Sequence, residues 1–513
     1  MADNLASFKV FSQGGLNLNR DVLSQGETQP GSAISLVNYE PAVTGGYRKI
    51  SGFSNVYGTV PGTGKVLGVC VANGINDGIL ACRTPSNGNN YLHYWDDSTD
   101  DWVAVATSGS PTMTGVSKVR FRRYNWGSPK VVTTDSINPA ATYDGTTYTQ
   151  ITHADAPSAP KNASIFQNHL FLSGDPSEDT NLYFSAPYNA YSFAAADGAG
   201  VINVGFPIVA TKAFRDQLYI FGVNNIKKLV GNNISNFVLE NVTDDLGCLA
   251  ADSVVEIGGD VFFLSQDGYR PISGTSKIGD VNLESVSKNI QSFITDVIFN
   301  NDLEDVSSVV IRKKSQFRLF YNVSDAGGLI GGLRQNPQGV GFEFGQLLGI
   351  PATCADSGYI DKEEYVIHGD TNGKVHKQED GTDFDGENII SLYQTPFLHM
   401  QDPEQRKIIH TVSTYLRSEG VNEILMSVIY DYDDTSILNP TNYSLSTEDA
   451  ASYYNEALYD DSTTVWSGNP SPVQRVNVSG SGKSVSFRYV TNDSNAAHSV
   501  QGIVVTFGVG DRL

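Results

Sequence analysis

The run Phe214-Arg215-Asp216-Gln217-Leu218-Tyr219-Ile220-Phe221-Gly222 decides the fold. It reads as a polar turn, a short strand and a glycine stop. Leu218 and Ile220 fall on one face of the strand, Tyr219 and Phe221 on the other. Both faces are apolar, which suits a strand buried between two neighbouring sheets. Variants of this phrase recur at Ile79, Val131, Leu170, Leu218, Val261, Phe317 and Tyr365, at intervals of 52, 39, 48, 43, 56 and 48 residues. A period of roughly 40–50 residues is that of one propeller blade.

Most of these strands follow another short apolar run. Examples are Val66-Leu67-Gly68-Val69, Ser164-Ile165-Phe166 and Val254-Val255-Glu256-Ile257. A polar turn lies between the two, such as Gln167-Asn168, Arg215-Asp216, Gly258-Gly259 or Lys313-Lys314. That is a hairpin signature. Repeated hairpins with further short strands predict an all-β chain built on a β-propeller of about seven blades, over residues 56–385.

Residues 1–55 precede the repeats as a glycine-rich N-terminal arm expected to pack on the ring. Ser287 to Phe299 places Ile290, Phe293, Ile294, Val297 and Ile298 on one helical face, with Ser287 as N-cap. This predicts a single inserted helix near 287–299. Beyond the turn-rich Asp380–Gly386, longer strands at 411–416, 423–430, 484–489 and 500–507 predict a C-terminal β-sandwich-like domain over 386–513. The acidic stretch 432–472 interrupts it as a loop or insertion.

Composition narrows the function. With 34 Lys plus Arg against 56 Asp plus Glu, the formal net charge is −22. Such a surface repels nucleic acid, so sequence-specific DNA binding is not expected. The four cysteines, Cys70, Cys82, Cys248 and Cys354, form no CxxC pair and read as buried free thiols. No apolar run is long enough to span a membrane, and no secretory leader is read at the N-terminus. Synthesis in the cytosol is therefore expected.

Candidate chemistry is sparse. Val60-Pro61-Gly62-Thr63-Gly64-Lys65-Val66 fails as a phosphate-binding loop, with Thr59 where a glycine is needed and Val66 in place of Ser/Thr. The acidic groups Asp380/Asp383/Asp385, Asp431/Asp433/Asp434 and Asp460/Asp461 lack calcium-loop spacing and read as solvated turns. Ser265-Gln266-Asp267-Gly268 is an incomplete aspartate box. His169, His368 and His376 read as satisfied polar groups at blade edges. No catalytic, cofactor or metal residues are assigned, and no enzyme activity is expected. Two basic clusters are candidates for docking on an acidic neighbour: Lys118, Arg120 and Arg122 on one strand face, and the turn Arg312, Lys313 and Lys314.

Several patches, in order along the chain, resemble the tail nozzle protein of short-tailed bacteriophages. They are Gly14-Gly15-Leu16-Asn17-Leu18, Gly31-Ser32-Ala33, Gly45-Gly46-Tyr47-Arg48-Lys49-Ile50-Ser51-Gly52-Phe53, Phe221–Gly231, Leu246-Gly247-Cys248, Phe263–Arg270 and Val500–Val505. The resemblance implies a structural virion protein without catalytic residues. It implies a homo-hexameric ring below the portal and adaptor, which extends and gates the DNA ejection channel. Its partners would be copies of itself, adaptor or portal-side proteins, tail fibre or needle proteins, and double-stranded viral DNA passing without sequence reading. The stretch 432–472 departs from the family. Another phage tail ring, hub or baseplate component is the alternative within this class. A carbohydrate-binding or carbohydrate-cleaving propeller is the alternative outside it.

Overall fold

The computed structural model describes residues 5–510 apart from 87–90, 110, 112–114, 276–284, 337–338, 401, 436–438 and 448–471. The chain divides into two compact units. One comprises 55–328 and 350–378; the other comprises 1–54, 329–349 and 379–513.

The first unit is a propeller of six separate sheets, each of three to five strands. Its first strands are Thr63–Val71, Arg120–Asn125, Asn162–Phe166, Ala210–Phe214, Val255–Ile257 and Cys354–Ile360. These first strands line the axis, and Cys354–Ile360 closes the ring against Thr63–Val71. Six blades correct the expected count of about seven. The Phe317 phrase that supplied the extra one is a hairpin, Ser307–Ile311 with Gln316–Asn322. Its first strand sits in the ring beside Cys354–Ile360. The hairpin has no separate sheet of its own: its two strands belong to a nine-stranded sheet, and the chain leaves the unit at Gly328.

The opening phrase behaves as its pattern predicts. Arg215 and Asp216 both take left-handed φ angles, 45° and 56°, as a two-residue type I′ hairpin requires. Gln167-Asn168 (46°, 64°) and Gly258-Gly259 (62°, 79°) repeat the geometry one blade to either side. Leu218 and Ile220 pack with Phe166, Phe171, Leu182 and Phe184 of the preceding blade. Phe221 packs with Val261 and Phe263 of the following blade, and Tyr219 lies against that same cluster. A strand with two dry faces is thus glued to both neighbours, and this is how a propeller buries sheets that are only four strands wide.

The expected helix is present as a 3-10 turn, Lys288–Ile290, running into the α-helix Gln291–Asn300. Ile290, Ile294 and Val297 are its buried stripe. Ser287 is not a side-chain cap; its hydroxyl accepts the Tyr269 amide at 2.9 Å and so ties the helix start to the fifth blade. All four cysteines are free and buried. Burial raises the thiols of Cys248 and Cys354 to about 11, so both stay protonated and inert near neutrality.

The second unit is a two-sheet sandwich. The expected long strands appear as Lys407–Ser418, Glu423–Tyr430, Val485–Asp493 and His498–Val509. Strands between residues 6 and 49 are part of this sandwich rather than an arm laid on a finished fold. Ala6–Phe11 pairs antiparallel with 502–507 of the last strand, Tyr47–Lys49 pairs beside it, and Ser35–Val37 joins the other sheet beside Ile389–Gln394. Between the sheets lies a core of tyrosines. Tyr393 stacks on Tyr489 at 5.9 Å and meets Tyr47 edge-on at 4.9 Å. The Tyr489 hydroxyl pairs with that of Thr414 at 2.9 Å, and the Tyr39 hydroxyl with His498 at 2.7 Å, the partners that buried polar tips favour.

Gly31 shows why the N-terminal glycines are needed. A Cβ there would lie 1.6 Å from the Phe11 carbonyl oxygen, a main-chain atom that no rotamer change can move. Gly31→Ala is expected to lower the stability of the sandwich by about 3 kcal/mol, because the strand Ala6–Phe11 must shift to admit the methyl. Urea unfolding followed by tyrosine fluorescence measures this. A wild-type midpoint would contradict the packing described.

Candidate functional site

Five of the first strands, the residues just before Val255–Ile257 and the Ser307–Ile311 strand line a cavity of about 210 Å³ at the propeller axis. Period-two alternation carries Lys118, Arg120 and Arg122 to this cavity from one segment. Lys212 reaches it from the fourth blade. Asp252 comes from the 3-10 turn Ala251–Ser253, and Asp356 from Cys354–Ile360. Four cations and two carboxylates therefore line the axis of a chain whose net charge is −22.

One end is a closed ion-pair network. Asp252 accepts from Lys118 at 2.8 Å and from Arg120 at 2.8 Å. Arg120 also approaches Glu304 at 3.6 Å, and Glu304 holds Lys161. Lys118 Nζ donates to the Val306 carbonyl at 2.5 Å. Burial alone would raise the Asp252 carboxyl. The Arg120 and Lys118 charges outweigh it and hold the group well below the usual carboxylate range. The same balance holds Arg120 up: burial opposes its charge, and Asp252 and Glu304 more than offset that.

The other end is less complete. Arg122 Nε donates to the Ala163 carbonyl at 3.1 Å. Lys212 pairs with Glu256 at 3.1 Å, and that carboxylate is half exposed. Asp356 is occupied by Arg123 at 3.2 Å and by the Val71 amide at 2.9 Å. Burial, and then the charge of Arg123, lower the Arg122 guanidinium. Burial, and then Arg122, lower the Lys212 ammonium.

Lys118, Arg120 and Arg122 are thus on one face, as their spacing indicates, but that face looks into the propeller. They do not form an outward docking surface, because the strand that carries them is the innermost of its blade. Arg312, Lys313 and Lys314 form a 3-10 turn elsewhere. The Arg312 and Lys313 amides donate to Glu364 at 2.7 and 2.9 Å, while the Arg312 and Lys313 side chains remain exposed. The sequence reading missed Lys212, Asp252 and Asp356. Their shared signal is a charged residue in or beside the first strand of a blade, which becomes informative only once those strands are known to face an axis.

Other candidates have structural partners. His169 Nδ1 bonds the Ser185 carbonyl at 2.6 Å, and His376 pairs with Asp370 at 3.3 Å beneath the stacked ring of His368. Asp267 is bound to Arg270. Asp460 and Asp461 lie outside the described residues. Among the described residues no group of three or more His, Cys, Asp or Glu is placed to hold a metal ion, and no helix is long and apolar enough to cross a membrane.

The fold and cavity define the class: an all-β protein built on a six-bladed propeller with a charged axial cavity. No family model and no curated protein matches the chain. Among solved structures, it is similar to the extracellular domain of a putative hybrid two-component system from B. thetaiotaomicron, with 12% identity and a TM-score of 0.39. That match covers 73% of this chain and 44% of that domain, so the chain spans less than half of that neighbour's length. An ancestral GH74 enzyme matches at 8% identity and TM-score 0.39, over 71% of this chain and 51% of the enzyme. An exo-beta-1,3-galactanase from Phanerochaete chrysosporium matches at 12% identity and TM-score 0.25, over 89% of this chain and 100% of the enzyme. Likeness at this level carries no function across.

Proposed function

We propose that the protein is a non-enzymatic virion component, a tail nozzle that assembles as a homo-hexameric ring around the DNA ejection channel. The ordered N-terminal, mid-chain and C-terminal patches quoted above support the family. The observation that carries the assembly is the placement of uncovered apolar side chains. Leu5, Phe11, Leu18, Val22, Leu23 and Val43 are all exposed in a single chain, and all lie in the segment woven onto the sandwich. Exposed apolar groups such as these are what a subunit contact would cover.

Duplex DNA is far too wide for the cavity inside one propeller. DNA would therefore pass along the axis between six chains, where an acidic surface repels the phosphates and lets the duplex slide. Adaptor or portal-side proteins above and fibre or needle proteins below are the neighbours this role requires, and the assembled virion tail is its location. A glycosidase reading fits the cavity poorly. Glycoside cleavage needs a carboxylic acid that stays protonated, and Asp252 is held ionised by two cations. Negative-stain images of the purified protein, combined with reducing-sugar release from host polysaccharide, test the proposal. Closed six-fold rings without sugar release are expected; monomers that release sugar would overturn it.

A further inference from the structure

We propose that Arg122 and Lys212 form a binding site for a phosphate-sized oxyanion in the propeller's axial cavity. Every other charge on the cavity wall has an opposite partner. Asp252 takes Lys118 and Arg120, and Asp356 takes Arg123. Arg122 has no carboxylate within 4.0 Å among the described residues, and its one protein hydrogen bond uses Nε, to the Ala163 carbonyl. Both terminal nitrogens of the guanidinium are therefore left for the cavity. Lys212 lines the same cavity from two blades further on, and the Arg122 charge adds to burial in lowering its ammonium. Its partner Glu256 is 47% exposed and leaves the ammonium able to share a second acceptor.

A half-buried Arg without a counter-charge is costly, and the fork of N–H groups matches the oxygens of a tetrahedral oxyanion in pairs. A second cation beside it adds charge where the rest of the surface is acidic. A cavity of about 210 Å³ holds a phosphate with its waters and excludes duplex DNA, so the ligand is a small free anion or the terminal phosphate of a small molecule. This site is independent of the ring proposal: it lies within one propeller and needs no second copy.

The probe is inorganic phosphate, added to the full chain and measured by calorimetry and by thermal unfolding against chloride at equal ionic strength. Saturable binding with a rise in Tm beyond that in chloride is expected. Arg122→Gln should weaken phosphate binding about tenfold or more, since a charge-assisted hydrogen-bond pair is lost. Lys212→Gln, on a different blade, should weaken it severalfold. If Arg122→Gln does not fold, Arg122→Lys keeps the charge but removes the fork, and weaker phosphate binding by that folded variant serves as the readout. Phosphate acting no better than chloride, or binding unchanged in the Arg122 and Lys212 variants, overturns the proposal.

Discussion

Asp252→Asn is expected to lower the stability of the propeller by about 3 kcal/mol at pH 7, because two largely buried cations lose the carboxylate they share. Lys118 and Arg120 both converge on this carboxylate at 2.8 Å, and the wall around them is made of strands that cannot move apart without opening the ring. Chemical unfolding of the wild type and the variant gives the difference. Adding Lys118→Met to Asp252→Asn removes one of the stranded charges and should recover part of the loss, a coupling that a double-mutant cycle reads directly. The pH dependence has a definite sign. The folded carboxyl titrates below its unfolded value of 3.8, so its contribution is fully present above that pH and is lost as pH falls through the lower folded value. The gap between wild type and Asp252→Asn should therefore be constant from neutrality to about pH 5 and narrow below about pH 4. A gap that widens in acid would contradict the assignment of Asp252 as the ionised hub.

Deletion of residues 1–30 is expected to abolish ring assembly while the propeller keeps its own thermal transition. No strand of the six blades comes from this segment, whereas Ala6–Phe11 covers residues 502–507 of the last sandwich strand. Removing it bares that edge, which invites irregular pairing, and removes five of the exposed apolar residues of the N-terminal segment. Sizing chromatography and calorimetry on the truncated chain separate the two effects. Full rings from the truncated protein would sink the role given to the N-terminal segment.

Local features of this structure were legible in the sequence. Hairpins at Gln167-Asn168, Arg215-Asp216 and Gly258-Gly259 are set by two consecutive turn residues, and their left-handed φ values are a local property. The 287–299 helix and the long sandwich strands follow from periodicity in the same way. Three things depended on distant contacts and were not legible. The Phe317 phrase has the local pattern of a blade, yet its strands belong to a nine-stranded sheet rather than to a separate one. The N-terminal segment finds its strand partner some five hundred residues away, so its place inside the sandwich leaves no local trace. Lys118, Arg120 and Arg122 alternate as a solvated strand edge would, and only ring closure turns that edge inward to Asp252. The buried Lys49 belongs to the same group: its side chain is 1% exposed and its ammonium pairs with Asp493 at 2.6 Å, a contact bridging the two ends of the chain.

The central claim is that this chain works as a ring, and native mass spectrometry of the purified full-length protein tests it most directly. The account predicts a dominant species of six chains of 55.4 kDa each, with no ladder of open intermediates. A single-chain mass across micromolar concentrations, unchanged by lower salt, would contradict it.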